Sequence, residues 1–353
     1  MKLKFRNPQS AIRNQEGVAL IMVLWVIAVL SVVVLEFSFA MRTEVNITKN
    51  YKEELQLYAM VQGGVQRTIA ELIYKHDSKV QQLRKTLTTE EIPPEKKEWV
   101  TDGRSYFIPF HQGTCEIKVI SEAGKVNINL VSEQMLRKII TLLGFEGEAR
   151  DIVVDSILDW KDADDFHRLN GAEESYYQSL KEPYQCKNAA FDSIEELLLV
   201  RGVNRTLFYG RSDVKKEDEG GKAIQAGLKD IFSIYSPAGQ IDINSASPVV
   251  LKLVLAIPEE VLQKIVKDRE EKPFDHQLDL LMRAPELKPF IEGDRERQSL
   301  ILYGRTILTP YYTIESRAKV KEGESVRGLK AIVKIDTKEK EGYKILQWVD
   351  VLL

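Results

Sequence analysis

Residues 18–35 read VALIMVLWVIAVLSVVVL, eighteen positions without a charge, and the fold turns on how this run is continued. At 1.5 Å of rise per residue, a helix of that length spans about 27 Å, close to the hydrocarbon thickness of a bilayer. Lys2, Lys4, Arg6 and Arg13 precede it. The positive flank puts residues 1–16 on the cytoplasmic side and the chain beyond Glu36 on the other. Residues 36–76 contain no proline. Within them Tyr51, Leu55, Tyr58, Val65, Ile69, Leu72 and Ile73 recur mostly at three- and four-residue steps, so one amphipathic helix is expected to continue the span. Gly63-Gly64 is the place where this helix is expected to bend, because glycine costs about 1 kcal/mol relative to alanine in a helix interior.

Three processing fates compete for the apolar run. Ser38-Phe39-Ala40 has the small-x-small form of a signal-peptidase site, and an uncleaved anchor needs no site at all. The third fate rests on Glu16-Gly17-Val18, where a glycine stands at the cytoplasmic edge of the run. There the sequence resembles type IV prepilins and pseudopilins, which implies cleavage after Gly17 by a prepilin peptidase and a mature chain starting at Val18. A helix that carries on unbroken past the run favours this last reading. Most pseudopilins have a glutamate at the fifth mature residue, thought to meet the terminal amine of the next subunit in the membrane; here that residue is Met22. A carboxylate in lipid costs several kcal/mol unless it is paired, and a subunit with nothing above it has nothing to pair with.

Downstream, residues 77–103 are polar, with Pro93-Pro94, and read as a surface connection. Residues 104–120 alternate around a turn at His111-Gln112-Gly113, which predicts a hairpin. Near the end Tyr312, Ile314, Ser316, Ala318 and Val320 share one face of a strand, and turns near Gly323 and Gly342 set off strands over 329–336 and 343–351. Between these sheet segments lies a repeat: GKVNIN at 124–129 returns as GQIDIN at 239–244, in register through Ser132/Ser247 and Leu136/Leu251. Each serine is expected to cap a helix, with Pro248 as first helical residue of the second copy. FDSIEELL at 191–198 likewise answers FDHQLDLL at 274–281. Two related helical modules inserted in a sheet-bearing host are the simplest reading.

The phrases DWKDADDFHRLNGAEESYY (159–177), FDSIEELLLVRGV (191–203) and GQIDINSASPVVL (239–251) resemble the K-type minor pseudopilin family of type II secretion systems, as does the missing glutamate at Met22. The resemblance covers nearly the whole chain from Gly17. It implies an α+β fold: a transmembrane and amphipathic spine helix packed on an antiparallel pilin-like sheet, with two inserted SAM-like all-helical modules. The division expected is a leader at 1–17, the spine at 18–76, a linker and first strands at 77–123, a first module with an acidic insertion at 124–229, a second module at 230–300 and the last strands at 301–353. It also implies a single-pass inner-membrane protein with a periplasmic body. Such a protein caps a pseudopilus with I- and J-type minor pseudopilins and helps prime its assembly without catalysis. Leu55, Tyr58 and Val65 are the expected partner contacts.

The acidic insertion carries the candidate metal site. Asp162, Asp164 and Glu173 stand at positions one, three and twelve of a stretch that partly echoes a calcium loop, with Asp165 and Asn170 as further oxygen donors and Asp159 and Asp192 as a second rank. Phe166 and His167 depart from the EF-hand pattern, which wants an oxygen and a glycine there. Without a cation these acids read as a solvated loop with helix-capping aspartates; the family resemblance adds calcium binding in this region.

The rival from another class is a membrane-anchored helix-hairpin-helix DNA-binding protein of a DNA-uptake or type IV pilus system, which residues 241–281 also resemble. Such modules hold phosphate on backbone N–H groups of a glycine-rich hairpin. Ala256-Ile257-Pro258-Glu259 has no glycine there, and residues 241–300 hold twelve acids against nine bases. Only Gly202, flanked by Arg201 and Arg205, keeps the pattern in the first module. A net charge of -3 over 353 residues gives no general electrostatic grip on nucleic acid. Cys115 and Cys186 have no metal-ligand spacing, and whether they pair is left open. His76, His111, His167 and His276 form no HExxH pair, and no nucleophile elbow or phosphate loop is present.

Overall fold

A computed structural model describes residues 15–80, 82, 99–210, 226–236, 241–291, 301–302, 309–321 and 325–351. Most of the leader, the Pro93-Pro94 connection, Gly239-Gln240 and the turn at Gly323 lie outside the described residues.

A helix, α1 (Gln15–His76), runs 62 residues without interruption. Its first part is apolar all round, with mean hydropathy 3.2 over an 18-residue window of which none is buried. Farther on, Leu57, Val61, Val65, Ile69 and Leu72 form a buried stripe at helical spacing. They pack on five antiparallel strands: β1 (Asp102–Pro109), β2 (Gly113–Ser121), β7 (Tyr311–Val320), β8 (Val326–Ile335) and β9 (Tyr343–Val351). Their order is β1-β2-β7-β8-β9. Alternation does the rest: Cys115, Ile117 and Val119 on β2, Tyr312, Ile314 and Ala318 on β7, and Leu329, Ala331 and Val333 on β8 all face the helix, while charged neighbours face away.

Gly63-Gly64 is not a break. A Cβ on Gly64 would lie 2.6 Å from Ile117 Cδ1 and 2.9 Å from both Cys115 Sγ and Ser316 Oγ, so the glycine lets helix and sheet approach closely. Ser316 Oγ donates to Val61 O at 2.9 Å across that contact.

The insertion leaves the sheet after Ser121 and returns opposite it, since Ser121 is in register with Tyr312. Inside it the repeat is visible in three dimensions. Ser132 caps α2 (Glu133–Leu142), which is followed by α3 (Gly147–Lys161); Ser247 caps α4 (Pro248–Leu255), followed by α5 (Glu259–Glu271). Asn129 donates to Phe191 O at 3.1 Å and accepts from Phe191 N at 2.8 Å. Asn244 does the same with Phe274, at 2.9 Å each way. The last turns of α3 and α5 both send a cation back to the repeat's carbonyls: Lys161 Nζ to Ile128 O at 3.0 Å, Arg269 Nη1 to Ile243 O at 2.9 Å.

Two features depart from the expected all-helical modules. Each copy is closed by a two-residue parallel strand pair, β3 (Val126–Asn127) with β4 (Phe232–Ser233) and β5 (Ile241–Asp242) with β6 (Ile301–Leu302). The module boundaries therefore move: 232–233 belong to the first copy, and 301–302 to the second rather than to the terminal sheet. The copies also share one apolar core, in which Leu136 and Ile139 join Leu251 and Leu255.

Buried charges tie this unit to the sheet. Glu122, 2% exposed, accepts from Lys125 at 3.0 Å and from Thr313 at 2.7 Å. Burial alone would raise its carboxyl, but Lys125 and neighbouring hydroxyls hold it below the usual carboxylate range. Asp102 on β1 bridges Arg104, at 2.8 Å, and Arg269, at 3.3 Å. Cys115 is buried and Cys186 half-buried, and both are free; they belong to different cores, which answers the open question of a disulfide.

Candidate functional site

The acidic loop is organised around Asp159. The inward face of α3 carries this side chain to 0% exposure, and the loop wraps over it. The backbone N–H of Arg168 donates to Asp159 Oδ2 at 3.1 Å, and Arg168 Nη1 donates to Asp159 Oδ1 at 2.6 Å. A Cβ on Gly171 would lie 1.8 Å from Asp159 Oδ2, so only glycine lets the chain pass there. Burial pushes the Asp159 carboxyl up, and Arg168 offsets part of that rise.

Beside this anchor, carboxylate oxygens of Asp162, Asp164 and Glu173 all lie within 4.8 Å of one another. Glu173 is only 3% exposed; its carboxylate faces the Cys186 thiol but accepts from no nitrogen or oxygen donor among the described residues, and Asp162 Oδ1 is likewise buried without such a donor. Unpaired buried oxygens of this kind cost about 1–3 kcal/mol each. Burial pushes the Glu173 carboxyl up to about 7, with Asp159, Asp162 and Asp165 adding to the rise. Oxygen-only donors with negative charge in excess fit a hard divalent cation.

Of the four first-rank carboxylates, three meet and Asp165 does not. Asp165 instead accepts from Asn188 Nδ2 at 2.7 Å. Asn170 turns to Asp155, donating through Nδ2 at 3.3 Å and through its backbone N–H at 3.2 Å. Asp192 is an exposed partner of Lys187 at 2.7 Å. Sequence reasoning missed Arg168, whose Nη1 also reaches Asp162 Oδ2 at 2.6 Å. A guanidinium flanked by acids on both sides, Asp164-Asp165 before it and Glu173-Glu174 after it, was the available signal. It missed Asn188 as well, which is brought in from outside the loop in a left-handed conformation, φ 45°.

The spine face is the second candidate. Tyr51 and Leu55 are 62% and 51% exposed. Tyr58 is half-buried beneath Arg327, 4.7 Å from its ring centre, and Arg327 pairs with Glu54 at 2.9 Å. Val65 is 0% exposed. It fastens the helix to its own sheet, so it is withdrawn from the expected partner contacts. The free apolar face runs instead through Phe37, Met41, Val45, Tyr51 and Leu55.

The hairpins give little purchase to phosphate. The turn between α4 and α5 has Ala256 in a left-handed conformation, φ 49°, and α5 begins with Glu259 and Glu260, which occupy the positive helix end with carboxylates. Its counterpart in the first copy is the turn after α2 that contains Gly144, φ 91°, rather than the one at Gly202. Arg201 donates to Gly171 O at 3.0 Å and lies 4.8 Å over the Tyr176 ring; Arg205 lies 5.4 Å over Tyr209. Both cations are engaged within the module. His167 lies on the loop surface with Nδ1 3.0 Å from Arg168 O, and His276 accepts from Asp279 N as a helix cap.

Comparison with known proteins follows the same lines. Residues 117–209 match the family model described as Type II secretion system (T2SS), protein K. The type II secretion system protein K of Pectobacterium carotovorum is 33% identical over 75 residues, 21% of this chain and 23% of that protein. The protein of the same name from Pseudomonas aeruginosa is 23% identical over 287 residues, 78% of each. In the crystal structure of the GspK-GspI-GspJ complex from the enterotoxigenic Escherichia coli type 2 secretion system, one chain superposes with a TM-score of 0.53 at 16% identity. The match covers 86% of this chain and 99% of that one, a likeness of fold.

Proposed function

We propose, from its similarity to type II secretion system protein K, that this chain is a minor pseudopilin that sits singly at the tip of a pseudopilus, helps start its assembly for protein export, and catalyses nothing. One observation carries the reading: α1 buries its second half in its own sheet and leaves 18–35, together with the stripe through Phe37, Met41 and Leu55, bare. A bare apolar helix of this length asks for a bilayer along the first part and for neighbouring helices along the second. Met22 supplies no carboxylate for a subunit above, and the insertion between β2 and β7 is too large to repeat at every step of a fibre shaft. Open assembly admits a terminator that offers one face and lacks the other.

The partners in this reading are I- and J-type minor pseudopilins, of the kind named with GspK in the solved complex, and a prepilin peptidase that cuts between Gly17 and Val18. The amino terminus is then cytoplasmic, the membrane is the inner one, and the body is periplasmic. Calcium is the cofactor in this reading, which Asp162, Asp164 and Glu173 would hold; when bound it would supply positive charge to a carboxylate cluster in which Asp162 Oδ1 has no donor among the described residues. Mixing the protein with I- and J-type partners and measuring mass after size exclusion should give a one-to-one-to-one complex. Labelling of native pseudopili should mark one end. Filaments of this protein alone, or labels along the whole shaft, would sink the tip reading.

A further inference from the structure

We propose that Arg168 is a resident counter-cation of the acidic loop: it keeps the loop folded when no metal is bound and weakens the grip of Asp162, Asp164 and Glu173 on a divalent cation. The proposal rests on the calcium reading above and concerns a residue that is not among the three carboxylates. The geometry is that of one guanidinium nitrogen shared by two carboxylates, 2.6 Å from Asp159 Oδ1 and 2.6 Å from Asp162 Oδ2. Asp159 is fully buried and Asp162 mostly so, with side-chain exposures of 0% and 28%. Without the Arg168 guanidinium the side chain of Asp159 would keep, among the described residues, the backbone N–H of residue 168.

The other half of the argument lies on Asp162. Its Oδ2 is taken by Arg168, while its Oδ1 is buried without a partner and belongs to the residue that meets Asp164 and Glu173. One carboxylate thus faces a fixed positive charge on one side and an unsatisfied cluster on the other. A divalent ion in that cluster does not need to displace Arg168, but it must share Asp162 with it and bear the repulsion of a like charge a few ångströms away. At the effective dielectric of a protein surface, a single positive charge at that range changes the affinity for a divalent ion by on the order of ten-fold or more. The arrangement also explains how a loop with four acids within a few residues folds before any cation arrives: one positive charge sits at its centre.

The test uses the full-length protein in detergent, with calcium titrated after treatment with chelator and read by thermal melting and by calorimetry. Arg168→Gln should melt lower than the parent in chelator, gain more from saturating calcium, and reach half-saturation at roughly ten-fold lower calcium. Arg168→Lys, which keeps the charge and loses the shared geometry, should fall between the two. Should Arg168→Gln fail to fold in chelator and fold when calcium is present, the proposal stands. Should it fail in both, the comparison rests on Arg168→Lys, and a half-saturation point equal to the parent's overturns the proposal. Equal or weaker calcium binding by Arg168→Gln also overturns it while leaving the calcium site intact. If the parent shows no response and Arg168→Gln acquires one, the calcium reading of the parent falls and Arg168 is confirmed as the occupant's substitute. No response in either removes both.

Discussion

Replacing Gly63 and Gly64 separately by alanine should move stability in opposite directions, although the two positions are adjacent in one helix. The intrinsic gain is the same for both, about 1 kcal/mol for glycine to alanine in a helix interior. At Gly63 the new methyl would meet only the Phe110 ring, at 3.4 Å, an ordinary contact, so the variant should be stabilised by up to about 1 kcal/mol. At Gly64 it would lie 2.6 Å from Ile117 Cδ1 and 2.9 Å from Cys115 Sγ and Ser316 Oγ. All three neighbours are buried in the helix–sheet core, and Ser316 is held by its bond to Val61 O at 2.9 Å. Overpacking of such a site costs about 1–3 kcal/mol, which offsets the helical gain and leaves a net loss of up to about 2 kcal/mol. The helical gain cancels between them, so the two variants should differ by roughly 1–3 kcal/mol. Urea denaturation of the soluble body, followed by tryptophan fluorescence, reads the difference, because Trp99 and Trp348 pack against this core. Equal shifts for both variants, or a stabilised Gly64→Ala, would refute the close-approach role of Gly64 and restore the reading of the pair as a hinge.

Three further outcomes are expected. Glu173, with its carboxyl raised to about 7 in the folded chain, binds a proton more tightly folded than unfolded. Chelated protein should therefore lose on the order of a few kcal/mol as pH rises from the unfolded value toward 7; Glu173→Gln or added calcium should flatten that slope in denaturation curves at pH 5 and pH 7. Asn129→Ala and Asn244→Ala each remove a two-way backbone clasp and should cost about 1–3 kcal/mol, with the two losses alike; a loss confined to one would mean the copies are not equivalent. Alkylation under denaturing, non-reducing conditions should modify both Cys115 and Cys186, and a mass lacking either adduct contradicts the two-core separation.

How much was legible in the residues differs from feature to feature, for a common reason. Periodicity sees one element at a time. It placed α1 through the spacing of Leu55, Tyr58, Val65 and Leu72, the hairpin through the turn at His111-Gln112-Gly113, and the capped starts of α2 and α4 through Ser132, Ser247 and Pro248, because helical and strand repeats and local caps are properties of neighbours in the chain. Which side of α1 meets its own sheet is settled only when the sheet exists: Val65 and Leu55 belong to the same apolar pattern, yet one is buried and the other bare. Gly64 looked like a weakness until Ile117, Cys115 and Ser316, from β2 and β7, were seen to crowd it.

The acidic loop divides in the same way. The chemistry of Asp162, Asp164 and Glu173 was readable because hard-cation donors cluster in sequence. The diversion of Asp165 to Asn188 and the bond from Asn170 to Asp155 were not, since both partners reach the loop from other segments. Sequence by itself determined the elements, the repeat and the type of donor. Tertiary structure alone decided which apolar face is free, which copy each short strand closes, and which acid is neutralised by Arg168, because pairings between distant segments depend on distances that local spacing does not encode.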